Sequence, residues 1–223
     1  ILVSSYLEYK ALKNIETKYV VKIIPHAIDF NFNLSNHKLN NIKRKMLFMG
    51  RIHPSKGIKE LLDIWKTIEL NDWKLLVAGI IEDTNFYRNL INSSKKEIKE
   101  KRIEFLGPVY GAEKIKLFEL SNVFILPTKT ENFGLVILEA LSFGIPVITT
   151  REAPWEIIHN EKIGWWVPNK KIKIKNAILQ ASKLSNKELY LMGDKARNIS
   201  MKNFSWANTI KEYIKTYLHL LEN

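Results

Sequence analysis

Short apolar runs alternate along the chain with longer stretches of helical period, and this alternation admits few folds. The runs at 20–24, 46–49, 75–78, 103–106, 123–126 and 147–149 are rich in Val, Ile, Leu and Met. Most lack the polar alternation of a strand with one wet face, so they read as strands buried on both faces. Between most of them lie stretches with apolar residues at helical spacing, including 58–68, 86–99, 112–120 and 134–143. Strand followed by helix, repeated, predicts an α/β domain: a Rossmann-like parallel sheet with helices on both faces. Beyond Gly164 the pattern predicts C-terminal helices alone, at 172–184, 187–201 and 206–221. The polar stretch 29–45, containing NFNLSNHKLNN, reads as a linker. It separates residues 1–28, one helix and one strand, from a sheet domain expected to span 46–204, with 205–223 as a final helix.

A chain of 223 residues with 46% apolar content can bury one large core, or one core plus a fragment of another domain. The start, Ile-Leu-Val-Ser-Ser, lies inside an apolar stretch without a basic n-region, and reads as a cut from something longer rather than a signal peptide. With no cysteine, disulfides and thiolate metal sites are excluded, which suits a reducing compartment. The net charge of +12 collects partly in SSKKEIKEKR and NKKIKIKN. No nucleic-acid module accompanies these lysines, so nucleic acid is not expected as a partner. Solvated surface comes first as their reading, and attraction to an anionic membrane second.

The segment PTKTENFGLVILEALSFGIPVITT carries the strongest chemical signal. Gly134 is placed to open a helix whose first free N–H groups face the loop above the preceding strand. Such a terminus favours an anion, and ligands of open α/β sheets bind at that end. Glu131 lies on the loop and Glu139 more than one turn into the helix. A phosphate cradle flanked by two carboxylates suits a ligand with phosphate in its middle and hydroxyls at both ends, such as a nucleotide-sugar. A second anchor, Gly50-Arg51-Ile52-His53-Pro54-Ser55-Lys56-Gly57, follows the strand at 46–49. Gly50 is expected to allow a sharp turn there and Gly57 a close helix start, with Arg51 and Lys56 bracketing the turn. The order fits neither a Walker A loop nor the dinucleotide-binding glycine motif. His53 and Pro54 read as turn-formers, and Trp155, Trp165 and Trp166 as core.

GRIHPSKGIKELL followed by ENFGLVILEALSFGIPVITT resembles the C-terminal, donor-binding domain of retaining GT-B glycosyltransferases of family 4. The two glutamates match that family's E-x7-E motif, and IPHAID is similar to its hinge, with His26 and Ala27 in place of Asn and Gly. APWEIIHNEKIGWWV and FILPTKTENFG resemble bacterial enzymes of lipopolysaccharide, O-antigen and capsule synthesis. The resemblance implies that Glu139 takes the ribose hydroxyls and that Glu131 holds the donor sugar. Asn132, on the same loop, is expected among the donor-binding residues. The backbone of Phe133, Gly134 and Leu135 would approach sugar and phosphate, and Gly50, Arg51 and Lys56 the diphosphate. Glu131, Arg51 and Lys56 would be the catalytic set, with no cofactor and no metal. No Asp-x-Asp motif occurs in the chain. The expected partners are a nucleotide-diphosphate sugar and a glycan or lipid-linked acceptor. The expected location is the cytoplasm, with peripheral contact at the inner membrane face left open.

Plainer readings stand beside this one. Glu139 could be a solvated helix residue and Glu131 a loop acid capping the helix. Two rival functions also stand: a non-catalytic nucleotide-sugar-binding or scaffold domain, and a phosphorylase-like enzyme using pyridoxal phosphate. The second requires a Schiff-base lysine in a recognisable context, and none is found.

Overall fold

A computed structural model describes residues 1–13, 20–29 and 44–221. Residues 30–43, most of the expected linker, lie outside the described residues. The chain begins with β1 (Leu2–Val3), α1 (Tyr6–Lys13) and β2 (Lys22–Ile23), and the two short strands pair in parallel. The main domain follows as β3 (Arg44–Met49), α2 (Ile58–Lys66), β4 (Trp73–Ala78), α3 (Thr84–Ser93), α4 (Lys95–Lys99) and β5 (Ile103–Gly107). It continues with α5 (Gly111–Leu120), β6 (Val123–Leu126), α6 (Leu135–Ser142), β7 (Val147–Thr150), α7 (Ile157–Asn160) and β8 (Gly164–Val167). Three helices close the chain: α8 (Lys171–Lys183), α9 (Asn186–Phe204) and α10 (Trp206–Leu221).

The apolar runs form one six-stranded sheet in the order β5-β4-β3-β6-β7-β8, with every pairing parallel. The central strands β3 and β6 supply Met46, Leu47, Phe48, Val123, Phe124, Ile125 and Leu126, all at most 1% exposed. Burial on both faces explains why these runs show no polar alternation. From β3 the chain builds outward in one direction through β4 and β5, then returns to lay β6, β7 and β8 on the other side. The order therefore reverses between β3 and β6, and ligands of open α/β sheets bind above the carboxyl ends of the strands at such a reversal.

Three expectations need correction. The region beyond Gly164 is not helical throughout, because Gly164–Val167 adds β8 to the sheet edge in register with β7. A Cβ on Gly164 would lie 2.2 Å from the Val147 carbonyl oxygen, so only glycine allows the strand to dock there. The strand expected at 46–49 begins at Arg44. Arg44 stacks over Trp73 (4.6 Å), pairs with Asp72, and donates to the Leu184 and Ser182 carbonyls at 2.6 and 3.0 Å. The helix expected over 86–99 begins at Thr84, capped by the Asp83 carboxylate, and divides at the buried Ser94 into α3 and α4.

α10 turns Thr209 and Thr216 inward but leaves Trp206, Ile210, Ile214 and Leu218 about half exposed. Ile1, Leu2, Tyr6 and Leu7 of the N-terminal unit are exposed as well. Among the described residues no helix is long and apolar enough to cross a membrane.

Candidate functional site

Two loops meet where the strand order reverses. The first leaves β3 through a 3-10 turn, Pro54–Lys56, and enters α2 through Gly57. His53 caps this turn, its Nδ1 accepting from the Ser55 backbone N–H, so His53 and Pro54 act as turn-formers. Gly57 sits at φ 70°, and a Cβ there would lie 1.9 Å from the Pro127 carbonyl oxygen. Its missing side chain lets the first loop press on the second. Gly50 was expected to need the same freedom. Its φ is not in the left-handed region and an added Cβ would make only ordinary contacts, the nearest at 3.5 Å. The crowded position is Gly79 at the end of β4, where a Cβ would meet the Gly50 carbonyl oxygen at 1.7 Å.

The second loop leaves β6 and runs to Gly134, which caps α6 at φ 81°. It is fixed from several directions. The Lys129 N–H donates to the Ser55 carbonyl (2.7 Å), joining the two loops. The buried hydroxyls of Thr149 and Thr150 on β7 donate to the Leu126 and Thr128 carbonyls at 2.8 and 2.5 Å. Trp155, 1% exposed, donates its indole N–H to the Phe133 carbonyl (2.5 Å). Its place is in the core, while Trp165 and Trp166 are half-buried on β8 and packed against that core. Phe133 stacks edge-on with Trp155 and with His26, whose ring centroid is 5.0 Å away. At about 1 kcal/mol net per hydrogen bond, this set holds the loop in place without a ligand.

On this frame the two carboxylates each meet a lysine. Lys56 Nζ donates to Glu131 Oε2 at 2.6 Å, and both side chains are mostly buried, at 13% and 15% exposure. Lys114, on α5, donates to Glu139 Oε1 at 2.6 Å. Glu139 is neither wholly solvated nor buried in the core, with 24% of its side chain exposed, while Leu138, Ala140 and Leu141 beside it are fully buried. Lys56 and Glu131 thus meet, Gly134 lies against Glu131, and Glu139 follows along α6 with Lys114 as its partner. Arg51 is placed differently. It lies on the same turn, but its guanidinium is 54% exposed and bonded to Glu82 on the loop after β4 (2.8 Å). Asn132 is exposed, Leu135 is 44% exposed, and Phe133 is buried with the aromatic cluster.

Lys114 and Glu82 escape sequence reasoning. Lys114 is one lysine among many, and its partner lies 25 residues away. Only the packing of α5 beside α6 reveals the contact. Chemically, this end of the sheet offers the Lys56 ammonium, the start of α6 and the carboxylates of Glu131 and Glu139. That combination can hold a diphosphate and the hydroxyls on either side of it.

The family model described as "Glycosyl transferases group 1" matches residues 29–199. The chain belongs to this family of glycosyltransferases, and its fold is the GT-B Rossmann-like fold. It is 29% identical over 217 residues to an uncharacterized glycosyltransferase of Methanocaldococcus jannaschii, covering 91% of this chain and 55% of that protein. It is 34% identical over 128 residues to the capsular polysaccharide biosynthesis glycosyltransferase CapM of Staphylococcus aureus, covering 53% of this chain and 33% of that one. Among solved structures, the sucrose-phosphate synthase of Thermosynechococcus elongatus superposes with a TM-score of 0.85 at 22% identity. That match covers 99% of this chain and 58% of the synthase. The chain spans about half the length of the curated relatives it matches.

Proposed function

We propose that these residues form the donor-binding part of an enzyme that transfers a sugar from a nucleotide diphosphate to a glycan or lipid-linked acceptor. The carrying observation is the Lys56–Glu131 pair, held at 2.6 Å beside the start of α6 and followed along that helix by Glu139. In this reading the diphosphate displaces Lys56 from Glu131 and takes the lysine and the α6 N–H groups as its own partners. Glu131 is then free to accept from the donor sugar, and Glu139 accepts from the ribose. Negative charge develops on the leaving phosphate during transfer. A lysine and a helix terminus oppose it without requiring a metal. Arg51 approaches the same phosphate after leaving Glu82. Retention of configuration is carried over from the family resemblance, with the leaving phosphate assisting the incoming hydroxyl on the same face. The likeness to a capsular polysaccharide enzyme favours bacterial surface polysaccharide synthesis as the setting.

A thermal-shift screen of UDP, GDP, CDP, ADP and their sugars tests the binding step. Ligand at one hundred times its dissociation constant stabilises by about 2.7 kcal/mol, which raises the melting temperature by about 5–10 °C in a chain of this size. No shift with any of the four diphosphates would defeat the proposal. The ribose role carries its own expectation. Glu139→Ala removes a charged acceptor whose hydrogen bond contributes about 1.5–3 kcal/mol, so nucleotide affinity should fall about tenfold or more. Unchanged affinity by calorimetry, with the fold intact, would remove Glu139 from the site.

A further inference from the structure

The Lys114–Glu139 pair differs from an ordinary helix ion pair such as Lys59–Asp63, which joins neighbours on one exposed face of α2. It ties two helices that both begin above the carboxyl ends of strands, α5 after β5 and α6 after β6. The bond engages Oε1 of Glu139, whereas Oε2 carries no hydrogen bond among the described residues. Both side chains are partly covered, at 31% and 24% exposure, so the tether is not fully screened by water. Glu139 has three rotatable side-chain bonds, and its neighbours Leu138, Ala140 and Leu141 face the core, leaving the carboxylate as the part able to swing. A lysine on one oxygen selects one orientation in advance and leaves the other oxygen to accept.

We infer that Lys114 is a positioning residue that sets Glu139 to read the ribose, so that the protein separates ribonucleotides from 2′-deoxyribonucleotides. The inference rests on the proposed ribose role of Glu139 and adds a residue that touches no ligand itself. A carboxylate held in advance can meet a vicinal diol without first losing rotamer freedom, and this benefit disappears when one hydroxyl is missing. Lys114 should therefore contribute to ribose recognition and little to phosphate recognition, which falls to Lys56 and the start of α6.

The test is calorimetric titration of ADP, GDP, CDP and UDP, each with its 2′-deoxy counterpart, and of pyrophosphate. The proteins are the wild type, Lys114→Met, Lys114→Arg and Glu139→Gln. The wild type should prefer the tightest-binding ribonucleotide over its deoxy form by about tenfold, the scale of one hydrogen bond to a charged acceptor. Lys114→Met should reduce that ratio to about threefold or less with pyrophosphate affinity unchanged, and Lys114→Arg should restore it. A wild-type ratio in Lys114→Met overturns the inference. So does a parallel loss of pyrophosphate binding, which marks a merely structural pair, or tighter nucleotide binding, which marks Lys114 as a competitor of the ribose. Glu139→Gln separates the two layers. If it abolishes the ratio while Lys114→Met does not, only the inference fails. If it keeps the ratio, or if none of the four nucleotides binds the wild type, the ribose reading fails with it.

Discussion

Replacing Lys56 by alanine is expected to lower turnover of the intact protein by about 10²–10³, the scale for removing one donor aimed at developing negative charge. The size follows from where this lysine is. Its side chain is only 13% exposed and sits 2.6 Å from Glu131, so its charge acts in a poorly screened place. Arg51, 54% exposed and turned toward Glu82, should matter less when replaced by alanine. Loss of Lys56 also strands Glu131 as a mostly buried carboxylate, and breaking a buried pair from one side costs about 3–5 kcal/mol at most. Stability therefore has to be separated from chemistry. The double variant Lys56→Met, Glu131→Gln removes the stranded charge, so its melting temperature should recover while its turnover stays low. Recovery of turnover along with stability would show that Lys56 serves the fold alone. Chelators should leave the wild type nearly unaffected, and strict dependence on added Mn²⁺ or Mg²⁺ would contradict a leaving group stabilised by protein cations.

Gly193→Ala should destabilise the protein by about 4 kcal/mol, against the sign that helix propensity gives. Gly193 lies in the interior of α9, where alanine normally stabilises by about 1 kcal/mol. Here a Cβ would fall 2.0 Å from the Gly144 carbonyl oxygen and 2.7 Å from its carbon, both backbone atoms of the turn between α6 and β7. Neither can swing aside as a side chain would, so α9 must move off α6 or the turn must distort. For a chain of this length the melting temperature should drop by about 10 °C. Gly111→Ala is the control. Its φ of 51° makes alanine uncomfortable, but no atom lies within 4 Å of the added Cβ. About 1–2 kcal/mol is expected there. Thermal unfolding of the two variants checks the difference, and an unchanged or raised midpoint for Gly193→Ala would mean that α9 slides freely over α6.

The sheet was legible because its central strands are buried on both faces, which leaves uninterrupted apolar runs such as those at 46–49 and 123–126. β8 was missed for the opposite reason. GWWV is a half-covered edge strand of four residues, and its aromatic pair suits a helix or a core loop equally well. Arg44 and Lys45 read as linker because charge usually marks a loop. Arg44 is accepted into β3 by Asp72, the Trp73 ring and two carbonyls that lie far along the chain. In the candidate site, Glu131, Gly134 and Glu139 were visible because one local segment carries them all. Their lysine partners were not equally visible. Lys56 stood out through its glycine-bounded turn, whereas Lys114 had no local mark and Arg51 found a partner in Glu82 that spacing could not foretell.

The backbone bond between Ile28 and Phe204 has a consequence for how the chain is assembled. The Ile28 N–H donates to the Phe204 carbonyl at 3.1 Å, and Ile28 bridges in parallel to Ser205. The part of the chain that carries the six-stranded sheet therefore enters and leaves at one point, so its two ends are neighbours. Joining ends that already touch costs little loop entropy. An architecture of that kind tolerates being cut elsewhere and rejoined here. It can likewise be exchanged as a single cassette, carrying the loops above β3 and β6 with it and leaving the remaining chain two junctions that lie side by side.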